Sequence, residues 1–243
     1  MFRRFVVVLL TSTVFSCFSA VSAMSADAEF SDFPDVPSSD RIEDSFRDAG
    51  FYVGARGGAV WADDTQFTIT GPALVENSYD LGIVGSLFIG FEVPDLYHGI
   101  GMRLEGELGY MQADVDFHTI AGTPATSANS FGSTDAFTAM ANLYADYTLG
   151  ALRPFIGGGI GVGRVDFEGH GVTGNLGVMD NTENGFAWQV SGGVGYDVTA
   201  DITVEAMVRY QEILGVELVS ATGPVSHVDL ASTQVLLGAR FSF

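Results

Sequence analysis

The chain has no lysine: all ten of its basic residues are arginine, set against 30 Asp and Glu, for a formal net charge of -20. That balance excludes nucleic acid as a partner, because holding a polyphosphate requires a basic surface. The missing lysine also removes the Schiff-base nucleophile and the phosphate-loop cation together. Cysteine is nearly absent, and Cys17 alone can build neither a disulfide framework nor a thiolate metal site. After the first two dozen residues no window offers about 18 consecutive strongly apolar residues, which excludes a further membrane helix.

What is there begins with a targeting pattern. Arg3 and Arg4 precede the apolar stretch opening Phe5-Val6-Val7-Val8-Leu9-Leu10, and Val21-Ser22-Ala23 or Met24-Ser25-Ala26 supplies small residues for cleavage. Residues 1–23 are read as a signal peptide cleaved after Ala23 or Ala26, so the protein is expected to leave the cytoplasm without its thiol. A lipidation box at Val14-Phe15-Ser16-Cys17 is disfavoured by Phe15 and by the cleavage site that follows. Residues 24–49 are read as an acidic, mostly disordered segment with Pro34 and Pro37, carrying at most a helical turn from Ser39 or Asp40 through Phe46.

From Phe51 onward the hydrophobic period becomes two. Phe51, Val53, Ala55, Ala59 and Trp61 alternate with Tyr52, Gly54, Arg56 and Gly58, and Leu81, Ile83, Leu87, Ile89 and Phe91 alternate with Ser86, Phe88, Gly90 and Glu92. In the clearest segment Met102, Leu104, Leu108 and Tyr110 face one way while Arg103, Glu105 and Glu107 face the other. The scheme recurs over 137–147, 155–162, 186–197, 203–211 and 234–243, giving about eight segments, each near the length of a tilted membrane strand. Connections alternate long (62–79, 113–134, 166–185, 213–228) and short (93–100, 150–153, 199–201). An all-β, eight-stranded antiparallel up-and-down transmembrane barrel over residues 50–243 is expected, with periplasmic termini and four long outer loops.

Period two alone does not say which face meets solvent. Phe51 and Trp61, Phe137 and Tyr147, and Phe186 and Tyr196 lie ten residues apart on the apolar face. At about 3.3 Å per residue and a tilt near 40° that spacing rises about 25 Å, the height of an apolar band between two aromatic girdles. Phe91, Tyr110, Trp188 and Tyr210 complete the expected girdles. The polar face then fills the lumen of a barrel just wide enough for its side chains to pack. Arg56, Arg103, Arg209 and Arg240 are expected to interleave there with Glu105, Glu107, Asp146 and Glu205, with Arg240 turned toward carboxylates such as Glu205. Charges so desolvated must be paired, and the planar arginine fork suits carboxylates.

Four stretches, Phe51-Tyr52-Val53-Gly54-Ala55-Arg56-Gly57-Gly58, Met140-Ala141-Asn142-Leu143-Tyr144-Ala145-Asp146, Arg153-Pro154-Phe155-Ile156-Gly157-Gly158-Gly159-Ile160-Gly161 and Gly192-Gly193-Val194-Gly195-Tyr196-Asp197, resemble the small outer-membrane β-barrels of Gram-negative bacteria, the OmpA-like, opacity-type "porin family". The closing segment resembles that family's assembly signal at Gly238, Phe241 and Phe243, and departs from it at Leu236. The resemblance implies residence in the outer membrane among lipid and lipopolysaccharide, and delivery there by the barrel-assembly machinery. A monomer is expected, with loops open to extracellular partners. No peptidoglycan-binding domain is appended, so a wall-anchoring role is not implied.

Other candidates fall short. Gly157-Gly158-Gly159-Ile160-Gly161-Val162-Gly163 has no G-x-G-x-x-G register and reads as glycine relief in a curved strand. Asp180-Asn181-Thr182-Glu183-Asn184-Gly185 opens like an EF-hand loop, but its twelfth position is Ser191 rather than Glu. His98, His118, His170 and His227 have no serine and carboxylate gathered about them in any hydrolase motif. No enzyme, cofactor or metal is therefore expected. Asp63, Asp64, Asp114 and Asp116 read as solvated loop acids, with a cation bridge to lipopolysaccharide as the alternative. The expected function is structural and surface-exposed; a narrow channel or small-ligand transporter is the alternative.

Overall fold

The computed structural model describes residues 49–243 except 64, 69–73, 80, 121–122, 125–129, 173–174 and 220–224. The expected signal peptide and residues 24–48 lie outside the described residues. Eight long strands run β1 (Gly50–Ala62), β2 (Gly82–Tyr97), β3 (Ile100–Ile120), β4 (Ser130–Tyr147), β5 (Leu152–Val172), β6 (Asn175–Asp197), β7 (Ile202–Val219) and β8 (Val225–Ser242). Each pairs antiparallel with the next, and β8 pairs back onto β1 from Tyr52↔Ser242 to Ala62↔Ser232. The sheet is closed, so where the ladders run all the way round, the barrel strands have no open edge. No described helix is long and apolar enough to cross a membrane; crossing falls to the strands.

The closure is staggered. Following the register once round, from Val84 through Gly58, Leu236, Met207, Gly193, Phe155, Asp146 and Gly101, the path returns to β2 beside Val93, about ten residues from its start. This stagger tilts the strands and lets side chains of neighbouring strands interleave within the lumen.

The two ends differ. At the end holding both barrel termini the turns are tight: Gly99 and Gly150 take positive φ, and His98 sits in the first of these turns against the Tyr97 ring at 4.3 Å. At the opposite end the expected long loops are largely replaced by strand. β5 and β6 run on until only residues 173–174 join them, β3 reaches Ile120, and β7 and β8 leave only 220–224 between them. Glycine, Asn and Asp interrupt the alternation there, yet each pair of strands still satisfies its backbone groups by pairing, through register shifts at Phe167/His170 and Ile213/Val216. A short hairpin, Thr65–Thr68 with Leu74–Tyr79, extends the sheet beside β3.

Burial alternates along the strands in the sense opposite to a water-soluble β protein. On β3, Arg103 and Glu107 are 2% exposed while their neighbours Leu104 and Leu108 are 59% and 67% exposed. The charged face is the interior.

Candidate functional site: the lumen and the outward apolar band

Outside, two belts of aromatic side chains bound a band whose outward residues are Leu, Ile, Val, Ala and Gly. Near the termini lie Phe51 and Phe91, with ring centroids 5.1 Å apart, together with Tyr147, Tyr196 and the stacked Phe241 and Phe243. Toward the opposite end lie Tyr110 and Phe137 at 4.8 Å, Trp188 and Tyr210 at 5.5 Å, and Trp61 and Phe186. Register explains the pairs: Phe51 stands opposite Phe91, and Tyr110 opposite Phe137. Between the belts Ile83, Leu87, Ile89, Leu143, Ile156, Ile160, Val190 and Leu237 are exposed. Just beyond Phe137, Tyr110 Oη donates to Asp135 Oδ1 at 2.7 Å, so polar contacts begin where the apolar band stops.

Inside, the side chains form three tiers. The first, nearest the termini, is ionic and aromatic. Arg56 is its hub: Nε donates to Glu205 Oε1 at 2.5 Å, Nη1 to Glu105 Oε1 at 2.6 Å and Glu107 Oε2 at 3.0 Å, and Nη2 to Glu105 Oε2 at 2.8 Å. Arg209 forks onto Glu107 at 2.7 and 2.8 Å, and Arg103 Nε donates to Asp146 Oδ2 at 2.8 Å. The guanidiniums also lie on rings, Arg56 3.7 Å above Phe88, and Arg103 between Tyr144 at 4.7 Å and Phe155 at 4.9 Å. All four rings of this tier, Tyr52, Phe88, Tyr144 and Phe155, are buried.

Arg240 differs from expectation. Its nearest carboxylate is Glu92 at 3.5 Å rather than Glu205, whose oxygens face Arg56 and, at 3.7 Å, Arg103. Glu92 is also approached by Arg153 at 3.8 Å, and Arg153 in turn holds Asp197 at 2.8 Å. Glu92, Arg153, Asp197 and Arg240 thus form an ionic strap across the terminal mouth, joining β2, β5, β6 and β8, of which the expected network names only Arg240.

The second tier is a relay of amides. Gln234 Nε2 donates to Gln211 Oε1 (3.2 Å), Gln211 Nε2 to Gln189 Oε1 (2.7 Å), Gln189 Nε2 to Asn142 Oδ1 (2.7 Å), and Asn142 Nδ2 to Glu107 Oε2 (3.4 Å). Every link points the same way and the relay ends on a carboxylate. The third tier takes one buried apolar residue from each strand in turn: Val60, Val84, Met111, Ala136, Val165, Ala187, Ile213 and Leu230. The glycines of β5 make room below it, since a Cβ on Gly157, Gly159 or Gly161 would run into Tyr144, Asn142 or Met140. Between the second and third tiers lies a cavity of about 10 Å³, bordered by Ser86, Met111, Thr138, Arg209, Gln211 and Gln234.

Among the other sequence candidates, 180–185 lies within β6, and Ser191 is buried in the lumen. The side chains of Asp64, Asp114, Asp116, His118, His170 and His227 lie outside the described residues.

Charged residues inside, an uncharged apolar band outside and a sheet closed through its eight long strands define a lipid-embedded β-barrel. The family model for the outer membrane protein beta-barrel domain matches residues 13–243, and the chain belongs to that family. It is a protein of the Gram-negative outer membrane. Among solved structures it is similar to Neisserial surface protein A, at 20% identity over 80% of this chain and 99% of that one, with a TM-score of 0.52. It is also similar to the outer membrane protease OmpT from Escherichia coli, at 8% identity over 80% and 97% of the two chains (TM-score 0.48). A third is Ail of Yersinia pestis in complex with the heparin analogue sucrose octasulfate, at 11% identity over 79% and 99% (TM-score 0.40). No curated protein sequence matches the chain.

Proposed function

We propose that this protein is a structural and surface component of the outer membrane: a monomeric, non-enzymatic barrel with its lumen plugged, set in lipid and lipopolysaccharide. The observation that carries the reading is the packing of ionic, amide and apolar side chains across the lumen, beside which a cavity bordered by Arg209 measures about 10 Å³, the size of a single water. The short-turn end with the termini faces the periplasm, and the prolonged hairpins stand outward as the surface offered to extracellular partners. Purified protein in planar bilayers is expected to give no steady single-channel current; stepwise openings in the unmodified chain would replace this reading with the narrow channel.

The C-terminal Phe243 faces outward, and its backbone N–H bonds to the Phe51 carbonyl at 3.0 Å. With Gly238 and Phe241 it serves as the signal read by the barrel-assembly machinery. Deleting Phe243 is therefore expected to lower outer-membrane levels several-fold while the refolded barrel keeps nearly all its stability. Equal surface levels of the truncated and full-length chains in fractionated cells would count against that role.

A further inference from the structure

Three buried lumen atoms have no hydrogen-bond partner in the protein and belong to residues bordering the same cavity: Ser86 Oγ on β2, Arg209 Nε on β7 and Gln234 Oε1 on β8. Their residues are 7%, 2% and 0% exposed, so bulk solvent does not serve them. A buried donor or acceptor left unpaired costs about 1–3 kcal/mol. Three residues carrying such atoms line one void of about 10 Å³, a polar site the size of a single water molecule.

The chemistry of the three atoms selects the occupant. Arg209 Nε–H can only donate, Gln234 Oε1 can only accept, and the Ser86 hydroxyl can do either. A halide would meet the lone pairs of Gln234, and an alkali cation would meet the guanidinium of Arg209. Neutral water matches all three. We propose that this cavity binds one water molecule, which accepts from Arg209 Nε, donates to Gln234 Oε1 and shares a third hydrogen bond with Ser86 Oγ.

Its position gives the water a role. The amide relay begins at Gln234 and ends on Glu107, and Glu107 is also held by Arg209. The water joins those two ends, so that water, Gln234, Gln211, Gln189, Asn142, Glu107 and Arg209 form a closed ring across the lumen, a belt that returns from β3 to β7 through the Arg209–Glu107 pair. All its amides are polarised toward the single carboxylate, an arrangement in which each hydrogen bond strengthens the next. The belt rests on the plugged-lumen reading, because a solvated channel would exchange this water freely.

Crystals of the full chain at near-atomic resolution test it. The expected result is one isolated density peak within hydrogen-bonding distance of all three atoms, with no anomalous signal after a bromide soak. The Ser86→Val variant, whose added methyl groups enter the cavity, should lose that peak while the other tiers stay in place. In solution, the Arg209 Nε–H of the unmodified protein should show a magnetisation-transfer cross-peak to a long-lived water. Absence of both peak and cross-peak in the unmodified protein, a bromide signal at the position, or a direct Arg209–Gln234 bond overturns the proposal, whether or not the variant folds. A continuous file of waters from mouth to mouth instead overturns the plugged lumen, while a peak on the three atoms upholds the site.

Discussion

Replacing Arg56 with methionine is expected to remove about 3–5 kcal/mol of folding stability, the cost of leaving buried charges without their partner. Arg56 touches three carboxylates, on Glu105, Glu107 and Glu205, and its removal leaves Arg209 on Glu107 and a more distant Arg103 near Glu205. Glu105 loses both of its Arg56 contacts and keeps the Tyr52 hydroxyl at 3.2 Å. Methionine has similar length and can lie on the Phe88 ring, so the loss reports charge more than volume. Urea unfolding in phospholipid vesicles measures it, with Trp61 and Trp188 as outward-facing fluorophores. Adding Glu105→Gln and Glu205→Gln to the same chain should restore a large part of the loss, because neutral amides need no counter-charge. Arg56→Lys should fall between, since a point charge cannot fork onto several carboxylates. A midpoint unmoved by Arg56→Met would mean that the tier is hydrated and its ion pairs screened.

The second large effect lies on the other face. Leu143 is exposed midway along β4 between Phe137 and Tyr147, which places it near the centre of the apolar band. Leu143→Arg is expected to cost about 2–4 kcal/mol in a lipid bilayer, and Phe137→Arg, at the edge of the band, about 0–1 kcal/mol from the charge itself. A water-soluble β protein would give the reverse order, because arginine at an exposed leucine is nearly neutral in water while loss of a packed aromatic is not. The pair of variants, compared by unfolding in vesicles of defined acyl length, therefore reads which solvent the exposed face meets. Equal and negligible costs would remove lipid from the account.

The parity of each strand was legible because it depends only on residues two apart. Arg103, Glu105 and Glu107 announce one face of β3 as plainly as Leu104 and Leu108 announce the other. The ten-residue spacing of Phe51 and Trp61, and of Phe137 and Tyr147, follows from strand length and tilt, and all four rings are exposed on the barrel. What the alternation hid was partnership across the lumen. Arg240 and Glu92, or Arg56 and Glu105, meet only after the sheet has closed with its stagger, and no spacing in the chain encodes that stagger. The amide relay was hidden more completely: Gln189, Asn142, Gln211 and Gln234 sit on the lumen side of four strands, and polar residues on a polar face carry no mark of one another. Similarly, the buried Phe88 and Phe155 near the termini and Met111, Val165 and Ile213 near the far end break the rule that the lumen face is polar. The strand extensions were missed because Gly, Asn and Asp ordinarily punctuate strands, whereas here two partners prolong each other past them.

The pairing of β1 with β8 also sets an order of events. Gly50–Ala62 is the first barrel strand synthesised, and its partner along one edge is the last, Val225–Ser242. Until that partner arrives, β1 and whichever strand is newest each present a row of unsatisfied amides to any neighbouring chain. Contacts of such sequence separation form slowly, so closure of this seam is expected to be a late step in folding. The seam between Tyr52 and Ser242 is where that vulnerability ends.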